Sequence, residues 1–203
     1  MTVTQSMQSK AVIFDGDGMV VTGESFRLRR ARDHGIPDEV SNPFFLNEFQ
    51  KCLIGQLDLK EELERVLPAW GWTKGTDAFL DAWFDPEKAP LDERFLPVIR
   101  ALKEKGIPSY FATNNEKYRS QNLLDQRGMR TWFEDVFPSA VVGSKKPETA
   151  FYDHIADVLD TDKSDVLYFD DDGGHVEAAL MYGFNAHLYT DFDAFEKILA
   201  ENI

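Results

Sequence analysis

The feature of this 203-residue chain that most constrains its fold is an alternation of short apolar runs with helical stretches. Four runs have the length and composition of buried strands: 10–14, 107–113, 165–169 and 184–189. Helical stretches precede the last three of them: 92–105, 148–159 and 176–182. Strands that alternate with helices form βαβ units, so the sequence predicts an α/β fold with a mostly parallel sheet covered on both faces.

One long segment breaks this alternation. Residues 24–85 contain no clear strand pattern and are rich in helix-forming residues, notably over 57–66 and 76–83. Loop signals such as Asn42-Pro43 and Asp85-Pro86 separate the helical stretches. We therefore predict a helical insertion after the first strand.

Charge and composition exclude several classes of partner. The chain carries 22 basic and 36 acidic residues, a net charge of −14, which repels nucleic-acid phosphates and anionic lipid. Its apolar runs are too short to cross a bilayer, and the N-terminus shows no signal-peptide pattern. The single cysteine, Cys52, fits a reducing compartment. The sequence thus predicts a cytoplasmic protein without nucleic-acid or membrane partners.

Polar residues follow three of the four predicted strands. The first strand ends in Asp15-Gly16-Asp17, the second in Thr113-Asn114-Asn115 and the third in Asp170-Asp171-Asp172. A further polar element, Lys145-Lys146-Pro147, precedes a helical stretch. Because ligands of open parallel sheets bind outside the carboxyl ends of the strands, we expect these residues to meet in one crevice.

These residue types suit phosphoryl transfer. Clustered carboxylates are costly unless a hard cation neutralises them, and Mg²⁺ prefers oxygen ligands. A metal bound by Asp15 with Asp170 or Asp171 would let one carboxylate attack phosphorus. Asp17 is a candidate acid–base group, and Thr113 with a lysine would donate to the phosphoryl oxygens. These residues could instead have purely structural roles. Asp172 and Thr113 could cap helices, and one of the two lysines could be an ordinary surface charge.

Four segments together resemble the motifs of the haloacid dehalogenase superfamily, in the same order along the chain. They are Phe14-Asp15-Gly16-Asp17-Gly18, Phe111-Ala112-Thr113-Asn114-Asn115, Gly143-Ser144-Lys145-Lys146-Pro147, and Tyr168-Phe169-Asp170-Asp171-Asp172. The sequence departs from the usual pattern at Met19, at the third acid Asp172, and at His175, where asparagine is frequent.

The resemblance implies a Rossmann-like core over residues 1–20 and 90–203 and a helical cap over 21–89. It also implies site roles. Asp15 would be nucleophile and metal ligand, and Asp17 would be acid–base group and a ligand through its backbone carbonyl. Phosphate would be bound by Thr113, Asn114 and Lys146, with Lys145 as the second choice for the family lysine. Asp170 and Asp171 would hold Mg²⁺.

The second acid, Asp17, favours a phosphatase over a dehalogenase. The sequence therefore predicts a Mg²⁺-dependent phosphatase that acts on a small phosphorylated metabolite, such as a sugar phosphate, through an aspartyl-phosphate. Two alternatives stay open on sequence grounds. One is a phosphomutase of the same fold, and the other is an inactive phosphate-binding regulatory protein.

Overall fold

A computed structural model describes residues 9–203, and the first eight residues of the predicted core segment 1–20 lie outside this range. Its centre is one sheet of five parallel strands in the order β3-β2-β1-β4-β5. The strands are β1 (Ala11–Phe14), β2 (Ser109–Thr113), β3 (Asp135–Pro138), β4 (Val166–Asp170) and β5 (Asn185–Leu188). The predicted α/β fold with a parallel sheet is confirmed.

The count of four strands was wrong, because β3 forms a fifth at the edge of the sheet. Its register pairs Tyr110 with Asp135 and Thr113 with Pro138. Only its second half is buried. An edge strand that begins with an exposed acid and ends in proline lacks the continuous apolar run of a central parallel strand, so its signal in the sequence is weak.

Helices cover both faces of the sheet, as the βαβ pattern requires. The helices of the sheet region are α6 (Phe95–Glu104), α7 (Lys117–Gln121), α8 (Ser139–Val142), α9 (Thr149–Leu159), α10 (Gly173–Tyr182) and α11 (Phe192–Asn202). One apolar cluster, which includes Phe14, Phe95 and Phe195, packs on one face. A second, which includes Ile13 and Phe151, packs on the other. Within residues 9–203, no helix is long and apolar enough to span a membrane.

The segment between β1 and α6 is helical. Its helices are α1 (Phe26–His34), α2 (Asp38–Leu46), α3 (Glu48–Cys52), α4 (Leu59–Val66) and α5 (Thr76–Trp83). They share a hydrophobic cluster of their own, which runs from Phe26 to Phe84. Val21 and Ala89, at the predicted boundaries, instead belong to the cluster of the sheet. The division into a core and a cap domain stays a prediction.

Candidate active site at the carboxyl edge of the sheet

The carboxyl ends of the central strands bring three acids together. Asp15 directly follows β1, Asp170 is the last residue of β4, and Asp171 follows it. One carboxylate oxygen from each lies within 4.8 Å of the others. Asp15 and Asp170 are buried, at 5% and 0% exposure, whereas Asp171 is exposed. The crevice predicted from the polar strand ends is therefore present.

Lys146 lies between two of these acids. Its ammonium donates to Asp15 Oδ1, to Asp170 Oδ2 at 2.7 Å and to the carbonyl of Ala112 at 3.1 Å, which uses all three of its N–H groups. Lys145 instead reaches Gln50 on α3. Of the two lysines considered, Lys146 is the one that lies in the acidic crevice.

Asn114 holds the segment that carries Lys146. Its side-chain amide donates to the carbonyl of Lys146 and accepts from the backbone N–H of the same residue, both at 2.9 Å. This pair of hydrogen bonds joins the end of β2 to the loop before α9. The amide nitrogen of Asn114 carries a second N–H, which is the group that would donate to a phosphate oxygen.

The electrostatics of the three acids differ with their surroundings. Burial raises the pKa of Asp15 to about 7, although Lys146 opposes this effect. Burial also acts on Asp170, but hydrogen bonds from His175, Lys146 and Tyr168 hold its pKa well below the ordinary value. Burial raises the pKa of Asp171, and so does the negative charge of Asp170. An oxygen of Asp171 lies within 4.8 Å of an oxygen of Asp15. Two carboxylates so placed repel each other unless a proton or a cation lies between them.

Asp170 is the most firmly held of the acids. Its Oδ2 accepts from Tyr168 Oη at 2.6 Å as well as from Lys146, and its Oδ1 faces Asp172 N at 2.9 Å and His175 Nδ1 at 3.1 Å. Each oxygen of this carboxylate thus has two partners, so a metal ion bound by Asp170 would take the place of one of them. His175 thus contacts an acid of the site, and Tyr168 is a site residue that sequence reasoning did not single out.

The backbone between Asp15 and Met19 lies very close to the acids. At Gly18, where φ is +97°, a Cβ atom would approach Asp171 Oδ2 to 1.9 Å. At Gly16, a Cβ would meet Thr113 Oγ1 at 2.7 Å. Only glycine leaves room for the neighbouring carboxylate and hydroxyl, which explains why glycines alternate with the acids in this turn.

Asp17 is held by two donors that lie outside the acidic cluster. Its Oδ2 accepts from Asn115 Nδ2 at 3.1 Å, and its Oδ1 accepts from Arg119 Nη2 at 3.0 Å. The carboxylate of Asp17 is not one of the three whose oxygens lie within 4.8 Å of one another. The role of the Asp17 backbone carbonyl as a metal ligand stays a prediction. Arg119 was missed from the sequence, although its place in the first turn of α7, just past β2, puts it at the same edge of the sheet.

A cavity of about 420 Å³ opens beside Asp17 and Asp171. One wall carries the aromatic side chains of Phe26, Phe49 and Trp83 from the helical segment. Trp83 stacks on Phe26 at a ring distance of 5.1 Å and packs against Phe49 at 5.3 Å. The opposite wall includes Asn115 and Arg119 from the sheet region, so the cavity lies between the helical segment and the sheet.

Three side chains near the site have ordinary structural roles, as a helix cap or as partners in ion pairs. Asp172 caps α10 by accepting from Gly174 N and His175 N, which confirms the capping role expected for it. Arg27 and Arg30 both pair with Asp38, at 2.7 and 2.8 Å. The cap of α7 is Glu116, so Thr113 is not a helix cap. The hydroxyl of Thr113 accepts from Asn115 Nδ2 at 2.7 Å.

A parallel sheet with an acidic crevice at its carboxyl edge defines the class of α/β enzymes whose sites are built from strand ends. Over residues 9–183 the sequence matches the haloacid dehalogenase-like hydrolases, and the chain belongs to that family.

Solved structures of this family have the same fold. A HAD family enzyme of Bacteroides thetaiotaomicron, BT-2542, superposes with a TM-score of 0.80 at 14% identity, over 94% of this chain and 98% of that one. Its complex with magnesium and inorganic phosphate gives 0.78 at 16% identity, over 92% and 98%. The L-2-haloacid dehalogenase of Xanthobacter autotrophicus gives 0.64 at 18% identity, over 96% and 84%.

Two curated relatives are named as phosphatases. The sesquiterpene phosphatase astK of Aspergillus oryzae is 30% identical over 49% of this chain, and the match spans about half (51%) of that protein. The phosphatase MT3486 of Mycobacterium tuberculosis is 24% identical over 90% of this chain and 88% of its own length.

Proposed function

We propose that this protein is a Mg²⁺-dependent phosphatase that hydrolyses a small phosphomonoester in two steps through phosphorylated Asp15. The observation that carries this proposal is the buried carboxylate of Asp15, which contacts the ammonium of Lys146 and lies within 4.8 Å of oxygens of Asp170 and Asp171. The phosphatase names of two relatives support it, as does the magnesium and phosphate complex of a protein with this fold.

The donor set fits a divalent cation. Three carboxylates face one ammonium, so the cluster holds two excess negative charges when all its groups are ionised. All the metal-ligating atoms are oxygens, which Mg²⁺ prefers. Asp15, Asp170 and Asp171 would hold the ion, with the backbone carbonyl of Asp17. Bound there, Mg²⁺ would offset the repulsion between the acids and attract the phosphoryl oxygens.

The residues of this chain would then divide the chemistry between them. The Asp15 carboxylate attacks phosphorus, and the ester oxygen leaves with a proton from Asp17. In the second step Asp17 takes a proton from the water that attacks the phosphoryl group on Asp15, which releases phosphate. Thr113 donates to the phosphoryl oxygens, where negative charge must be held during both transfers. Lys146 donates to them by redirecting one of the N–H groups that otherwise bind Asp15 and Asp170.

The helical segment has a separate role in this proposal. Residues 21–89 act as a cap over the crevice, since the cavity beside Asp17 is walled on one side by α1, α3 and α5. Excluding bulk water from this cavity strengthens the interactions between charged groups inside it. The cap also contacts the leaving group, so it determines which ester fits.

The aromatic wall favours a leaving group with an apolar face. Phe26, Phe49 and Trp83 offer ring surface to a substrate in the cavity. A terpenoid alcohol presents such a face, and one relative is named as a sesquiterpene phosphatase. A sugar phosphate, the class suggested from the sequence, can also stack a ring on an aromatic side chain, but its hydroxyls need polar partners.

The reaction class is tested by phosphate release from an aryl phosphate. We expect release in the presence of Mg²⁺ and a fall to background when a chelator removes the metal. Restoring Mg²⁺ in excess should restore the rate. Release that is the same with and without chelator would contradict the role of the metal. A mutase would be identified with a sugar monophosphate as substrate, by an isomerised ester in place of free phosphate.

The substrate class is tested by a panel of alkyl, terpenyl and sugar monophosphates. We expect kcat/KM to be highest for esters with an apolar leaving group. We also expect Trp83→Ala to lower this preference by about tenfold, since truncating a large aromatic contact costs on the order of 1–3 kcal/mol. Val141→Ala, a change at an exposed position of α8, serves as the matched control. A preference for sugar phosphates that survives Trp83→Ala would contradict the role of the wall.

A further inference from the structure

Asp17 is held by two donors that follow β2. Arg119 Nη2 donates to one oxygen of its carboxylate at 3.0 Å, and Asn115 Nδ2 donates to the other at 3.1 Å. The side chain of Asp17 is 53% exposed, whereas that of Arg119 is only 7% exposed. A half-exposed aspartate is thus fixed from its buried side.

We propose that Arg119, together with Asn115, forms a clamp that positions the carboxylate of Asp17 for proton transfer to the leaving group. The clamp consists of these two side chains only. Arg119 is a positioning residue, because it acts through Asp17. This inference rests on the proposed phosphatase function and goes beyond it by assigning a role to a residue outside the four motifs.

The position of Arg119 is itself determined by several contacts. Its guanidinium lies 5.4 Å from the ring centroid of Phe84 and donates to Asn122 Oδ1 at 3.3 Å. The backbone N–H of Arg119 donates to the Glu116 side chain at 2.6 Å, and Glu116 is itself buried. A guanidinium held at several points loses little freedom when it binds a carboxylate, so it can fix the direction of that group.

Asn115 links the clamp to the phosphate side of the crevice. The same Nδ2 that donates to Asp17 also donates to Thr113 Oγ1 at 2.7 Å. The side-chain amide of Asn115 therefore fixes the distance between the Thr113 hydroxyl, which is proposed to bind phosphate, and the carboxylate of Asp17. Because a change at Asn115 would disturb both groups, Arg119 is the better residue to test.

Proton transfer makes the clamp necessary. An acid–base side chain must lie within hydrogen-bonding distance of the leaving oxygen, and small misplacements slow such reactions strongly. Without Arg119, the exposed carboxylate of Asp17 would rotate into solvent among its rotamers. The resulting fall in kcat/KM would be largest for esters whose leaving oxygen must be protonated.

This difference gives a direct test. In Arg119→Met, kcat/KM is measured for an aryl ester with a good leaving group and an alkyl ester with a poor one, since kcat/KM reports the first chemical step. We expect the alkyl ester to lose about tenfold more than the aryl ester, as in Asp17→Asn. Arg119→Lys should regain part of the loss. In the double variant Arg119→Met/Asp17→Asn, Arg119→Met should add little further loss.

The control is Arg130→Met, which removes an exposed arginine that pairs with Asp125 away from the crevice. It should leave both esters unchanged, and thermal melts should show that each variant is folded. Equal losses on the two esters, or losses that multiply in the double variant, would overturn the clamp. A wild-type protein that releases phosphate from neither ester would overturn the phosphatase function, and the clamp with it.

Discussion

We expect Asp15→Asn to abolish phosphate release and to leave the protein folded. The amide of asparagine is not a nucleophile toward phosphorus, so no phosphorylated residue can form. Burial raises the pKa of Asp15, which means that its ionised form is costly in the folded state at neutral pH. A neutral side chain of the same shape should therefore be tolerated, and the oxygen of its amide can still accept from Lys146.

The matched control for this variant is Asp172→Asn. It makes the same chemical change two residues beyond Asp170, at a position where the side chain caps α10. Asparagine is as good a helix cap as aspartate, so activity and melting temperature should stay near those of the wild type. Full activity in folded, Mg²⁺-supplied Asp15→Asn would refute the nucleophile assignment.

Asp17→Asn is expected to slow turnover by roughly 10²–10⁴-fold, the usual contribution of a positioned acid–base group. Asparagine keeps one acceptor oxygen, which can still accept from Arg119, while its NH2 group would lie where the second oxygen now accepts from Asn115. What it lacks is the proton for the leaving oxygen and the basic site for water. The loss in kcat/KM should be smaller for an aryl ester, whose leaving group needs no proton.

The measurement for Asp17→Asn is kcat/KM with a chemically matched set of aryl and alkyl monophosphates. Asp172→Asn again controls for the change in charge close to the crevice. Rates in Asp17→Asn equal to those of the wild type for alkyl esters would mean that another group protonates the leaving oxygen. The same loss for every ester would place Asp17 outside the proton transfer.

The central strands were predictable because each is a buried run of apolar residues. The predicted run 10–14 corresponds to β1, and 165–169 differs from β4 by a single residue at each end. Parallel strands buried on both faces carry this signal in every residue. Helix α5 was predicted with its observed bounds of 76 and 83, because the loop signal Trp70-Gly71 precedes it and Asp85-Pro86 follows it.

Other elements depend on tertiary contacts that no local pattern records. The edge strand β3 forms because the backbone of β2 is available for pairing, and its sequence shows only half of a strand pattern. The clamp joins Asp17 to Asn115 and Arg119, which lie 98 and 102 positions further along the chain. The hydrogen bond from Tyr168 to Asp170 could not be predicted from the sequence either, because tyrosine in a buried strand is usually a packing residue.

The structure also explains how so acidic a chain can receive a phosphate ester. The net charge of −14 acts against an anionic substrate, and local positive charge must offset it. Three carboxylates outweigh the one ammonium of Lys146 in the crevice, and a divalent cation held by them would offset the excess negative charge. Arg29 and Arg119 line the cavity beside the crevice, and Arg29 donates to the carbonyls of Ala82 and Trp83.

The central claim is that the phosphoryl group passes through Asp15, and the most direct test is to trap it there. During turnover of an alkyl or aryl ester with Mg²⁺, borohydride should reduce the acyl phosphate, and peptide mass spectrometry should find homoserine at position 15. Homoserine should be absent from position 15 when substrate is left out and in the Asp15→Asn variant. Continued turnover with unmodified Asp15, or with homoserine at Asp171 instead, would contradict the account.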